Sequence, residues 1–164
     1  MTEANQAFSE ALVKSLVGER GHLPIARALS DLDEALVGKE IEGVPYTIYQ
    51  LVWHMNYWQT FLLQYLEGKQ PERPKSVTES WPEQKAPTSE EWQRTLAAFL
   101  NGLDQAISYA KSLPLDEGVN FFPTESNAGI LRNIASHNTY HLGEIVLLRR
   151  LFGAWPPPGG GYPA

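Results

Sequence analysis

Three of the four histidines in the chain lie within apolar helical stripes, where polar side chains are uncommon. His137 and His141 are four residues apart, and His54 lies far upstream in a Trp-His-Met segment. Imidazoles that point from two helices into one core are either hydrogen-bonded core residues or ligands of a metal ion. Residues four apart share one helix face, so His137 and His141 could both reach one ion at about 2.0–2.1 Å.

Helical geometry places all three rings toward the interior. At about 100° per residue, His141 lies roughly 40° from His137, in a stripe that also contains Ile134 and Ile145. The corresponding stripe of His54 is flanked by aromatic side chains, including that of Trp58. A single histidine on an apolar face is usually a satisfied core residue, but three unpaired imidazoles in one core would be costly. The pattern therefore favours a metal site over core histidines.

The chemistry of such a site follows from its ligands. Asn138 stands where the zinc-protease motif has its glutamate, which disfavours peptide hydrolysis by that route. Three neutral ligands leave the charge of the ion in place and a coordination position open, as in catalytic sites. Glu144 lies close to the stripe of His137 and His141 on the last helix. It could be a fourth ligand, a partner of a ligand or a base. It could equally be a structural residue paired with a Tyr or Arg. Other residues at the edges of the stripes could line a pocket, although each fits a structural role: Gln50, Tyr57, Asn133 and Tyr140. His22, in a turn, is interpreted as structural.

The periodicity predicts an all-α fold, an antiparallel four-helix bundle with a short additional helix near the N-terminus, in a single domain over residues 1–164. Long helices are predicted over residues 5–17, 47–67, 88–113 and 127–152, and the short one over residues 24–36. Thr47 with Gln50, and Thr88 with Glu91, form capping boxes. Residues 69–87 form a loop whose expected anchor is Trp81. Residues 114–126 are irregular, with a brief extended piece over residues 119–122 and no strand ladder.

Composition narrows the function classes. The net charge of −6 argues against a nucleic-acid partner, and no apolar run approaches the roughly 18 residues that span a bilayer. The N-terminus is unlike a signal peptide, so we expect a cytoplasmic protein. Cysteine is absent, so any thiol chemistry needs a thiol brought by a substrate. Leu142 and Val146 form a second apolar side of the last helix, which suggests burial by the bundle or by a second subunit of a homodimer.

Two segments resemble the metal-binding segments of the DinB-like family. They are Leu51-Val-Trp-His-Met-Asn-Tyr-Trp58 and Ser136-His-Asn-Thr-Tyr-His-Leu-Gly-Glu144, and the run that begins at Gly153 resembles the family's C-terminal end. The resemblance implies a four-helix bundle, often dimeric, in which His54, His137 and His141 hold a divalent ion such as zinc or nickel. Characterised relatives include S-transferases and isomerases that use a low-molecular-weight thiol such as bacillithiol, mycothiol or glutathione.

The expected function is therefore that of a metal-dependent enzyme acting on a small-molecule substrate. Its most specific form is thiol-dependent S-transfer at the three-histidine site, and hydrolysis is the less favoured reaction. Two other hypotheses stay open. One is a metal-binding or stress-response protein without turnover, in which the ion stabilises the bundle. The other is a metal-free bundle with core histidines.

Overall fold

Four long helices dominate the computed structural model, which describes residues 3–162. In chain order the elements are α1 (Glu3–Val17), α2 (Ile25–Ala28), α3 (Glu34–Val37), α4 (Ile48–Leu66), a 3-10 turn (Val77–Ser80), α5 (Ser89–Ser112), β1 (Gly118–Val119), β2 (Phe122–Ser126) and α6 (Asn127–Leu151). Helices α4 and α1 each pack against both α5 and α6, which encloses one hydrophobic core. The predicted all-α bundle is confirmed. None of the described helices is long and apolar enough to cross a membrane.

The long helices begin where their capping boxes predict. In the box that opens α4, the backbone amide of Gln50 donates to the Thr47 hydroxyl, and the backbone amide of Thr47 donates to the side-chain oxygen of Gln50. Thr88 and Glu91 repeat this arrangement at the start of α5. Each box satisfies amide donors that the first turn of a helix leaves without partners. Gly18 follows α1 with φ +91°, a conformation that favours glycine.

The prediction of one continuous short helix over residues 24–36 is wrong. The chain forms two separate single turns, α2 and α3, with Asp31 between them at φ +50°. Asp33 then starts α3 anew, because its carboxylate accepts the amide of Ala35 and caps the turn. Aspartate competes with helix continuation by bonding nearby backbone amides, which explains the break.

A small hairpin replaces the irregular segment before α6. β1 pairs with β2 in antiparallel register, Gly118 opposite Ser126 and Val119 opposite Phe122. The predicted extended piece over residues 119–122 therefore lies partly in each strand and partly in their turn. The expectation of no strand ladder is wrong for this segment. Ser126 ends β2 and also caps α6 by accepting the amide of Gly129.

The second apolar side of α6 is covered mostly by the chain itself. Leu142 is 3% exposed, and Val146 packs partly buried against the core. Burial within the bundle thus accounts for this side, and it gives no ground for a second subunit. The homodimer stays a prediction. The exposed apolar side chains of α6 lie elsewhere on the helix, at Tyr140, Leu147 and Leu151.

Arg149 is a buried cation held by backbone carbonyls. Its guanidinium donates to the carbonyl oxygens of Ala28 at 2.6 Å, Ser30 at 3.0 Å and Ala154 at 3.0 Å. Burial lowers the pKa of this guanidinium. The side chain joins α6 to the segment around α2 and to the C-terminal segment.

Arg149→Met is expected to lower the free energy of unfolding by about 3 kcal/mol or more, because three carbonyls lose their donor. Urea unfolding of the metal-free protein measures the change. Arg150→Met, at the exposed neighbouring position, is the matched control and should change stability by about 0.5 kcal/mol or less. Equal effects of the two substitutions would show that the carbonyl contacts of Arg149 do not stabilise the fold.

Candidate metal centre

The three inward histidines meet between α4 and α6. One ring nitrogen of each of His54, His137 and His141 lies within 4.8 Å of the other two. The Nε2 atoms of His54 and His137 are 3.3 Å apart. His54 is 6% exposed and His141 7%, while His137 is half-buried. The three rings therefore form one cluster in a largely water-excluded site.

Two of these rings are oriented by partners behind them. Nδ1 of His54 lies 2.8 Å from the Ser80 carbonyl oxygen, and Nδ1 of His141 lies 2.6 Å from Glu144 Oε2. Because a carbonyl or a carboxylate only accepts, each Nδ1 must carry the proton, and each neutral ring then presents a lone pair at Nε2. Metal-binding histidines are held in this way in most sites, with the other ring nitrogen donating to a carboxylate or a backbone carbonyl.

The spacing of the nitrogens fits a divalent ion. Two nitrogens bound to a tetrahedral zinc at about 2.0–2.1 Å lie roughly 3.3–3.4 Å apart, which matches the 3.3 Å between His54 and His137. The widest separation in the cluster, 4.8 Å, exceeds the roughly 4.2 Å that one ion at that bond length can bridge. A small ring movement is therefore needed to bring all three onto one ion. Three neutral imidazoles suit zinc, nickel and similar borderline ions.

An aromatic column covers one side of the cluster. The Trp81 ring stacks on the His54 ring at 3.7 Å between centroids with 6° between planes, and Tyr46 stacks on its other face at 3.6 Å. Trp58 meets His54 edge-on at 6.5 Å. Trp81 thus anchors its loop as expected, but it is not alone, because the neighbouring Ser80 is fully buried and supplies the carbonyl that holds His54.

Burial keeps the imidazoles of His54 and His137 neutral. Burial, opposed by the Ser80 carbonyl and reinforced by the nearby His141, lowers the pKa of His54 to about 4. The pKa of His137 also falls to about 4, through burial first and then through His141 and His54. A neutral ring is the form that binds metal, so protons compete with an ion for His54 and His137 only at pH values well below the usual histidine range.

These low pKa values predict an acid-sensitive metal-free protein. Between the unfolded-state pKa near 6.5 and the folded-state value of about 4, the unfolded chain binds more protons than the folded one at His54 and His137. Their contribution to stability is therefore complete above pH 6.5 and declines as pH falls toward 4. Unfolding melts of metal-free protein at pH 5, 6, 7 and 8 measure it. The doubly substituted His54→Gln/His137→Gln protein should lose most of the dependence in this window, and an unchanged slope would contradict the assignment.

Glu144 lies beside the cluster with a half-exposed side chain. Its carboxylate contacts a candidate ligand, because Oε2 accepts from His141 Nδ1 at 2.6 Å. A carboxylate in this position fixes the ring and makes its free nitrogen more basic. This contact supports the role of a partner to His141 rather than that of a free base.

Glu144→Gln is expected to weaken zinc binding about 10-fold, since the amide still accepts the Nδ1 proton but carries no charge. Competition with a chromogenic chelator measures the affinity. Glu40→Gln is the control, because Glu40 is an exposed carboxylate whose partner is Lys85. If Glu144→Gln binds zinc as tightly as Glu40→Gln does, the carboxylate does not tune His141.

The remaining predicted pocket residues divide between structural and adjacent positions. Gln50 is buried, and its amide donates to the Pro82 carbonyl. Tyr57 stacks with Trp53. Asn133 accepts from Arg132. Only Tyr140 adjoins the cluster, with its ring 4.9 Å from that of His141. His22, interpreted as structural, bonds Thr139 and its own neighbour's carbonyl outside the cluster.

Comparison of the chain with known proteins and family models identifies its family. Neither a search of curated proteins nor a search of solved structures gives a match. The family model described as the DinB superfamily matches residues 25–145, well over half of the chain, and that span includes His54, His137 and His141. With this match and with the helical bundle around the three histidines, the chain belongs to the DinB superfamily.

Proposed function

We propose that this protein is a metal-dependent enzyme that transfers a low-molecular-weight thiol to an electrophilic small molecule. The observation that carries the proposal is the convergence of three imidazoles on one point, with two of them oriented through Nδ1. The proposed ligands are His54, His137 and His141, and the proposed ion is zinc or nickel. Such an ion, when bound, would lower the pKa of a thiol or water and polarise a carbonyl oxygen.

The residues of the chain supply positioning and a dry environment. The Ser80 carbonyl and the Glu144 carboxylate hold two rings in the tautomer that leaves Nε2 free. Trp81 covers one face of His54 and limits access of water from that side. A water-poor site strengthens the attraction between a cation and a thiolate.

The proposed reaction is the displacement of a leaving group by the sulfur of the thiol. The thiol loses its proton to solvent, its sulfur forms a bond to the electrophilic carbon, and the leaving group departs with the electron pair of the broken bond. The thiol must come from a cosubstrate because the chain has no cysteine. Water has a much higher pKa than a thiol, so hydrolysis gains more from a general base, and the carboxylate beside the cluster is already bonded to His141. This contact favours thiol transfer over hydrolysis.

The test is conjugation of 1-chloro-2,4-dinitrobenzene with glutathione, mycothiol or bacillithiol by zinc- or nickel-loaded protein, followed by absorbance and mass spectrometry. We expect turnover with at least one thiol and its loss in His141→Ala. Activity that survives this substitution would refute the mechanism. Binding of about one ion per chain with no turnover toward any of the three thiols would instead favour the non-catalytic metal-binding protein.

A further inference from the structure

A buried polar contact joins α4, α5 and α6 behind the histidine cluster. Asn138 Nδ2 donates to Gln59 Oε1 at 2.9 Å, and Gln59 Nε2 donates to the Phe99 carbonyl at 2.8 Å. Asn138 and Gln59 are each 1% exposed. Gly102 makes room for this contact, because a Cβ at that position would lie 2.5 Å from Gln59 Nε2. We call Asn138, Gln59 and the Phe99 carbonyl the amide relay.

The relay determines which way the Asn138 amide faces. The Phe99 carbonyl can only accept, so Gln59 must turn its NH2 group to it and its oxygen to α6. Asn138 must then present its own NH2 group to that oxygen, which directs Oδ1 away from Gln59. The orientation of an amide on α6 is thereby set by a backbone atom of α5.

Asn138 Oδ1 is left without a donor. It is the only buried side-chain nitrogen or oxygen in the described part of the chain, residues 3–162, that has no hydrogen-bond partner. Leaving a buried acceptor unpaired costs about 1–3 kcal/mol, and native proteins rarely do so without a reason. The adjacent residue, His137, is a member of the cluster, and its ring interacts with the Asn138 side chain.

His137 is also the one ring of the three whose tautomer has no fixed partner at Nδ1. Its Nε2 faces the Nε2 lone pair of His54 at 3.3 Å. Without an ion, a proton on His137 Nε2 satisfies this pair. Once Nε2 is used for a metal, the proton must sit on Nδ1 and needs an acceptor, and His54 and His141 show what such acceptors are. Asn138, the next residue in the chain after His137, offers a buried acceptor in its Oδ1.

We propose that Asn138 is a positioning residue for the metal site: its Oδ1, aimed by the amide relay, accepts Nδ1–H of His137 when Nε2 binds the ion. Each of the three ligands then has an oxygen acceptor behind it, from Ser80, Asn138 and Glu144. This inference rests on the proposed metal site. It explains why the motif has an amide at the position next to His137, where a carboxylate would add a buried charge.

The test separates positioning from simple stabilisation. In Gln59→Leu/Asn138→Leu both amides become apolar groups of similar size, and no side-chain donor or acceptor of the relay is stranded. We expect the thermal midpoint of the metal-free protein to stay the same or rise, while zinc affinity falls 10-fold or more. The visible spectrum of the cobalt-loaded protein should change as well, since His137 is no longer held.

Ser9→Ala is the matched control. Ser9 is a buried residue whose hydroxyl donates to the Ala110 carbonyl, so the substitution removes another inter-helix hydrogen bond, between α1 and α5. It should lower the thermal midpoint and leave zinc affinity unchanged. Should the double variant not fold, Gly102→Ala replaces it, because the added methyl displaces Gln59 from α5.

The outcomes are distinct. A variant that binds zinc as tightly as the unsubstituted protein, with the same cobalt spectrum, overturns the role of Asn138 and leaves the proposed function intact. A lower thermal midpoint with unchanged affinity assigns the relay to stability alone and also overturns it. If the unsubstituted protein binds neither zinc nor cobalt, the proposed function fails and this inference fails with it.

Discussion

His141→Ala is expected to remove the divalent ion from the protein. The substitution takes away one of three ligand nitrogens and leaves Glu144 without the ring that it orients. Loss of a ligand should weaken zinc binding more than the 10–100-fold that removal of a ligand's partner typically costs, so we expect about 100-fold or more. Elemental analysis after dialysis, with chelator competition for the affinity, measures the result.

The chain contains a natural control for this experiment. His22→Ala removes a histidine that bonds Thr139 and the Leu23 carbonyl outside the cluster. Its metal content should equal that of the unsubstituted protein, about one ion per chain. If no ion is found in the unsubstituted protein after incubation with zinc or nickel, the histidines are core residues. If His22→Ala and His141→Ala lose metal alike, the cluster is not the binding site.

Trp81→Ala is expected to weaken both the fold and the metal site. The ring lies between Tyr46 and His54, so its removal opens a void in the aromatic column and frees the loop that carries the Ser80 carbonyl. A fully buried Trp→Ala change costs about 3–5 kcal/mol, and Trp81 is only partly buried, so we expect a loss of about 2 kcal/mol. Zinc affinity should fall about 10-fold, because His54 loses its orientation.

Two further variants make this result specific. Trp81→Phe keeps an aromatic ring in the column and should retain most of the affinity. Trp53→Ala removes a partly buried tryptophan that stacks with Tyr57 rather than with a ligand candidate, so it should affect stability only. Urea unfolding and chelator competition measure the two effects separately. A zinc affinity of Trp81→Ala equal to that of Trp53→Ala would show that the column does not support His54.

Local signals in the sequence were sufficient for the bundle and for the candidate ligands. The 3.6-residue period places His54, His137 and His141 on buried stripes, and that period is a property of each helix alone. The capping boxes at Thr47 and Thr88 likewise use residues three apart. Such short-range features can be read without knowing how the helices pack, which is why the long helices were predicted close to their observed bounds.

Tertiary structure alone decided what lies behind His54. Ser80 holds His54 through a backbone carbonyl, which any residue type would supply, so the sequence carries no signal for it. Arg149 looks like one half of a surface doublet until the carbonyls of Ala28 and Ser30, about 120 residues earlier, close around it.

The same division applies to Asn138. Its position next to His137 in the motif is visible in the sequence, but its partner Gln59 is 79 residues away and lies on another helix. The sequence determined which side chains face the interior, because helical periodicity is local. Only the packed bundle determined the tautomer of His54 and the burial that keeps His54 and His137 neutral, because those depend on atoms that long-range contacts bring together.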